Sequence, residues 1–342
     1  MQSLDEGVWL MNTGIPTTDK AFVVTRQPVR WAVHRSTTVL ILCLTIGIGA
    51  TVCALLGLLS PVDPTVVQTT RGGLIDLYGA GIYRYDSLFA GAGNRGTDAV
   101  TLAIALPLLV VSVWRFRGGS PRWHLILTGV LLWFLYVYAT LAVGAAFNPL
   151  FLVYVAVFGA SLWCLVLAAR GFDRNWLGGL LDQLPRRWPA VFLITSGVLT
   201  TALWCTPVLV AQLAGSTPDR LDGYTTLVTV AVDTAVIAPA AVVAGLLIWR
   251  RRASGYLAAI PLLVLEGLLA PLIVAQTISQ LRAGVDLAPG EVVGPVVGFG
   301  ILALAAAAVL WTILRRIPSS ISVIRCATAP GWKIADNAAG AP

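Results

Sequence analysis

The sequence predicts an all-α polytopic transmembrane helical bundle of eight spans, with a candidate 4+4 parallel repeat. Three observations predict it. The chain of 342 residues is 57% hydrophobic and only 11% charged, whereas a soluble domain carries about 25% charged residues. Apolar runs of about 20 residues recur along it, long enough to cross about 30 Å of hydrocarbon. Two of those runs echo each other: DAVTLAIALPLLVVSVWRFR from Asp98, and DTAVIAPAAVVAGLLIWRRR from Asp233. In both, Trp-Arg follows the Asp at the same interval (Trp114-Arg115, Trp249-Arg250), with Pro107 or Pro239 between.

In chain order, residues 1–36 form a polar N-terminal tail with Arg26, Arg30 and Arg35. It is too long a lead for a signal peptide, and the apolar run behind it exceeds the about 7–15 residues of a signal core. Spans are expected at 37–59, 98–114, 125–146 and 149–169, then at 190–213, 228–249, 256–278 and 293–314. The first half therefore covers 37–169 and the second 190–314. Phe147-Asn148-Pro149 alone separates spans 3 and 4, which predicts a tight hairpin. In the outer loop 60–97, Leu74, Tyr78, Ile82, Tyr85 and Phe89 recur at helical spacing and predict an amphipathic helix at the interface. In the linker 170–189, Trp176, Leu177, Leu180, Leu181 and Leu184 predict a second surface helix. The tail 315–342 contains Ser, Ala, Gly and Pro and is expected to be disordered.

The basic residues set the orientation. Of 23 Lys and Arg, 18 fall on the N-terminal side of the spans; Arg71, Arg84, Arg95, Arg220 and Arg282 fall on the other. The positive-inside rule then places both termini in the cytoplasm of a bacterial or archaeal inner (plasma) membrane. The same placement accounts for the net charge of +7, so no nucleic-acid partner is expected.

Site chemistry is sparse. Five cysteines without a C-x-x-C and two histidines supply no zinc or haem ligand set, so neither metal nor cofactor is expected. The cysteines are expected as small buried residues, and His34 and His124 as solvated groups at the cytoplasmic edge. No Ser-His-Asp set or phosphate loop is visible.

Glu266 is the sharpest candidate. It lies about ten residues, or about 15 Å, into span 7, near the midplane. Pro261 and Pro271 flank it at equal distances, and prolines free backbone carbonyls and kink a helix. An ionised side chain at that depth costs about 2.5–3.5 kcal/mol on insertion scales, which a coupling site or a hydrogen-bonded neutral carboxyl would each explain. Asp233 lies about 24 Å from Trp249, in the outer third, and Asp98 at the matching depth, where an Asp also suits a helix N-terminus. These three are the transport or coupling candidates. Gly91-Ala92-Gly93-Asn94-Arg95-Gly96 fits G-x-G-x-x-G, but no strand precedes it and a span follows, so it is no dinucleotide fingerprint. Its alternatives are a flexible turn or glycine amides that hold an anion beside Arg95. Arg84, Asp86, Asn94 and Arg95 are accordingly the outer-face anion or lipid candidates. Tyr136, Tyr138, Thr140 and Tyr154 put hydroxyls inside the bilayer, either in a cavity or bonding across helices. Gly294 and Gly298 predict close helix packing.

The segments YGAGIYRYDSLFAGAGNRGTD, RFRGGSPRWHLILTG and LYVYATLAVGAAFNPLFLVYVAVFG, with span 2 between the first two, resemble an uncharacterised family of multi-spanning prokaryotic membrane proteins. The resemblance covers roughly residues 70–165. It implies a helical integral membrane protein and carries no activity, substrate or site residues.

The expected function is a small-solute or ion transporter, proton-coupled through Glu266, with Asp233 and Asp98 toward the outer mouth. The alternatives are a non-catalytic membrane assembly or interaction subunit and an outer-leaflet lipid-handling enzyme built on the 71–98 loop. The expected partners are the lipid bilayer and a small solute or proton; an oligomer is compatible with the sequence.

Overall fold

A computed structural model describes residues 32–319 apart from 70, 219 and 220, together with the strands Ser3–Leu4, Val8–Trp9, Phe22–Pro28 and Ser322–Thr328. The chain divides into a terminal unit, Met1–Arg30 with Ser320–Pro342, and a larger unit, Trp31–Ser319. Within the terminal unit, Phe22–Pro28 and Ser322–Thr328 pair antiparallel, with Phe22 opposite Thr328. Composition predicted disorder across 315–342; Ser322–Thr328 is a strand, and 329–342 lie outside the described residues.

Eight helices among the described residues are long and apolar enough to cross a membrane. They are span 1 (Thr37–Leu59), span 2 (Leu88–Arg117), span 3 (Pro121–Gly144), span 4 (Phe151–Arg170), span 5 (Arg187–Leu213), span 6 (Val228–Trp249), span 7 (Ala253–Arg282) and span 8 (Pro289–Leu314). The chain is an all-α integral membrane protein with a lipid-facing surface of exposed Leu, Ile and Val. Arg115, Arg117, Arg250 to Arg252, Arg315 and Arg316 gather at one end of the bundle, called here the arginine-rich end.

Span 2 departs most from expectation, starting at Leu88 rather than Asp98. Its N-cap is Ser87, whose hydroxyl accepts the Ala90 N–H at 3.2 Å. Asp98 is therefore an interior residue of the helix and not its cap. The amphipathic helix expected in the preceding loop does not form. Thr65–Gln68 and Leu74–Leu77 make an antiparallel hairpin instead, and turns follow up to Ser87. Gly79 and Gly81 adopt φ of 83° and 65°, a left-handed backbone that ends any helix there. Burial also contradicts the expected face: Tyr78 and Tyr83 are fully buried, whereas Leu74 and Tyr85 are exposed.

Spans 2 and 6 share an irregularity. Each contains a π turn, Thr101–Ala105 and Asp233–Ile237, closed by Leu106 N–H to Thr101 O and by Ala238 N–H to Asp233 O. Pro107 and Pro239 stand two residues beyond them. A proline ring collides with the carbonyl four residues back; the wider π ring moves that carbonyl aside.

The neighbour relations repeat as well. Span 2 packs on span 1 and span 3, and span 3 on span 4; span 6 packs on span 5 and span 7, and span 7 on span 8. Between the halves, span 7 packs on span 3, and the contact of span 2 with span 7 is matched by one of span 6 with span 3. One relation departs. Spans 1 and 4 close on each other, with Cys43 Sγ 3.5 Å from Cys164 Sγ, whereas spans 5 and 8 barely touch. Gly294 and Gly298 face open space, so the close packing expected of G-x-x-x-G is not made among the described residues.

Two further expectations change. The linker helix is short, Arg174–Gly178, capped by Asp173 Oδ1 accepting from the N–H groups of Asn175 and Trp176. Leu177 and Leu184 are buried in the second-half core rather than spread on a surface helix. His34 and His124 are not solvated: both are buried, their rings edge-on to Phe116 at 4.8 and 4.9 Å.

Candidate functional site

The three acids singled out from sequence are all buried inside the bundle: Asp98 at 3%, Asp233 at 8% and Glu266 at 6% relative exposure. A carboxyl in such a place is costly and marks a functional site by default. Each has its own surroundings, and among the described residues the three share no hydrogen-bond partner.

Glu266 lies about 20 Å from the start of span 7, which is about 45 Å long. The helix runs unbroken through Pro261 and Pro271. Pro271 still withdraws the N–H that would bond the Gly267 carbonyl, next to Glu266. Ser196 on span 5 sits 3.0 Å from Glu266 Oε1 and 3.1 Å from the Leu193 carbonyl. One hydroxyl proton cannot serve both. With the carboxylate ionised, Ser196 donates to Glu266. With the carboxyl protonated, Glu266 donates to Ser196, which turns its own proton to Leu193. Glu266 Oε2 is buried with no hydrogen-bond partner among the described residues.

Ser196 also lines a cleft of about 630 Å³ where spans 5 and 8 part. Arg187, Phe192 and Thr195 line its span 5 wall, and Gly298 and Leu302 its span 8 wall. It runs from Arg187, at the arginine-rich end, toward mid-span.

Asp98 accepts from the Tyr83 hydroxyl at 2.7 Å through Oδ2. Gly57 on span 1 leaves the space: a Cβ there would stand 1.9 Å from Asp98 Oδ2. Tyr138 and Tyr154 adjoin, with ring centroids 6.2 Å apart, and the Tyr138 hydroxyl donates to Ala50 O at 3.4 Å. Burial, and then the neighbouring Asp98 charge, push the Tyr83 phenol well above its ordinary range. Asp233 opens the π turn of span 6, with Tyr136 and Trp204 as its polar neighbours. Thr140 bonds its own helix, at Val137 O.

The outer-face candidates separate. Asp86 is fully buried and clamps loops together: its Oδ1 accepts from Ala146 N–H at 2.8 Å and from the Tyr224 hydroxyl at 2.7 Å. Burial pushes its carboxyl up to about 6, against the pull of those two donors. Ser87 and Arg71 extend the clamp to Asp222 and the Tyr224 carbonyl. Arg84 is exposed, stacked over Tyr85. Gly91 to Gly96 lie within a helix, so their amides are spent on the helical ladder and make no anion nest. The glycines serve packing instead. Gly91 lies against the Tyr78 ring, and at Gly96 a Cβ would stand 2.5 Å from Gln276 Cα on span 7. Asn94 and Arg95 ride on the same helix, half-buried.

Sequence reasoning missed Tyr83, Ser196 and Gly57. Each meets its partner on a different element of the fold, so no local pattern flagged it. No family model, curated protein or solved structure matches the chain.

Proposed function

We propose that the protein is a proton-coupled transporter of a small solute or ion, with Glu266 as the coupling group. One observation carries the reading: a mid-span carboxyl with one oxygen on a two-way serine hydroxyl, the other unpaired, behind a cleft that the same serine lines. A carboxyl that takes up and releases a proton needs a partner able to reverse its bond, and Ser196 with Leu193 O is one. The cleft between spans 5 and 8 is the access route. Asp98 and Asp233, at matching places in the two halves, hold the helices at the other end of the path. The charge distribution supports an orientation with the arginine-rich end and both termini in the cytoplasm of a prokaryotic plasma membrane.

The test is flux in proteoliposomes under an imposed pH gradient, read as solid-supported-membrane currents against a panel of small cations, anions and neutral metabolites. Wild type gives a pH-dependent current with at least one class, and Glu266→Gln loses it. An unchanged current in the variant overturns the mechanism.

The open flank of spans 5 and 8 favours a second reading, a subunit of a larger membrane assembly. A stable heteromer in native mass spectrometry of gently solubilised membranes supports it; a lone chain removes it.

A further inference from the structure

We infer that the end of the bundle opposite the arginine-rich one carries a binding pocket for a phosphate-type anion, held by Arg95 and Arg282. The pocket has a volume of about 530 Å³ and lies between spans 1, 2 and 7. Arg95 reaches it from span 2, Ser279 and Arg282 from the last turns of span 7, and Tyr78 from the loop before span 2. Leu58, Val62 and Ile278 supply an apolar flank.

Arg95 is the anomaly that points to a ligand. It sits half-buried seven residues into span 2, and no ion pair holds it among the described residues. Its neighbours within the chain do not neutralise it by contact. The Tyr78 phenol lies beside it, and Asp98 acts on it from a distance while accepting from Tyr83. The only ion pair among the described residues is Arg251 with Asp182, far along the chain. Arg95 and Arg282 line one cavity together with Ser279 and Tyr78, a donor set that suits the oxygens of a tetrahedral phosphate, which arginine binds through paired N–H donors. The apolar flank suits the glycerol and upper acyl chain of a phospholipid, and the guanidiniums alone suit a free anion; the phosphate is common to both.

The glycine stripe fixes one wall of the pocket. Gly96 lets span 2 touch the backbone of span 7 at Ala275 and Gln276, and Gln280 of span 7 donates to Phe89 O of span 2 at 3.1 Å, so the two helices stay in contact beside Arg95 and Arg282. The pocket is separate from Glu266, and binding to it is read without any transport assay.

The test uses the full chain in a zwitterionic detergent, with binding read by thermal shift and microscale thermophoresis. The probes are inorganic phosphate, short-chain phosphatidylglycerol and short-chain phosphatidylcholine. Wild type is expected to bind at least one anionic probe. Arg282→Gln, at an exposed helix end where folding is unaffected, should weaken it by about tenfold, the loss of one charge-assisted contact. Arg95→Gln with Arg282→Gln should abolish it, and Arg282→Lys should keep part. Saturation by inorganic phosphate alone identifies a free-anion site; binding of phosphatidylglycerol alone identifies a lipid headgroup site. No binding of either anionic probe, or equal binding by wild type and Arg282→Gln, overturns the proposal.

Discussion

The Tyr83 hydroxyl donates to Asp98 Oδ2 across 2.7 Å, and both groups sit in the notch left by Gly57. A methyl in that notch has nowhere to go. Gly57→Ala is expected to destabilise the protein by about 1–3 kcal/mol, the usual cost of overpacking, seen as a lower Tm in detergent. Asp98→Ala removes the group it strikes, so the double variant should lose less than the sum of the singles. Strictly additive losses would mean that Gly57 and Asp98 do not meet.

Gly96 and Gly300 are both helical glycines with opposite surroundings. A Cβ at Gly96 strikes the span 7 backbone, 2.5 Å from Gln276 Cα and 2.6 Å from Ala275 O, whereas at Gly300 it meets nothing within 4 Å. Gly96→Ala should therefore push the two halves apart and lower Tm. Gly300→Ala should be neutral or gain up to about 1 kcal/mol from helix propensity. Equal effects at the two sites would argue against the span 2 to span 7 contact.

Asp86 makes the loop clamp sensitive to pH. Its folded carboxyl lies at about 6 against an ordinary 3.8, so between those values the folded protein holds a proton that the unfolded chain has released. Its contribution is thus fully present below pH 3.8 and lost as pH rises through 6. The size is about 3 kcal/mol as an order of magnitude. Across that window, the wild-type Tm minus that of Asp86→Asn should fall as pH rises. A difference that is flat, or that rises with pH, would contradict the burial of the carboxyl.

Ser196→Ala leaves both Glu266 oxygens without a side-chain donor. Stability should drop by about 1–3 kcal/mol, the cost of a stranded buried polar group. The pH dependence of flux should also move, while Ser196→Thr, which keeps the hydroxyl, should restore it. A shift in flux of the same size for Ala and Thr would remove the serine from the proton path.

Hydropathy made the eight spans legible, because lipid demands an unbroken apolar run whatever surrounds it. It failed at the start of span 2, where LFAGAGNRGT reads as a polar loop. Its glycines are buried against Tyr78 and span 7, so the segment is helical through packing that composition does not record. The tyrosines of 78–85 misled in the opposite sense: their helical spacing was coincidental, and two glycines with positive φ bent the chain into turns. Glu266, Asp98 and Asp233 were legible because a carboxyl among apolar residues stands out by itself. Ser196, Gly57 and Arg282 were not, since a serine, a glycine and a terminal arginine acquire meaning only from what faces them.

The π turn at Thr101–Ala105 has a consequence for how Asp98 is aimed. Such a turn accommodates one residue beyond the α-helical complement, and Pro107 keeps it from relaxing. Excising one residue there would rotate the whole upstream segment by about 100°. Asp98 would swing off its partner, and the glycine seam would turn away from span 7. The bearing of a carboxyl deep in the membrane is thus stored as a phase offset in its helix, and the same device sits beneath Asp233.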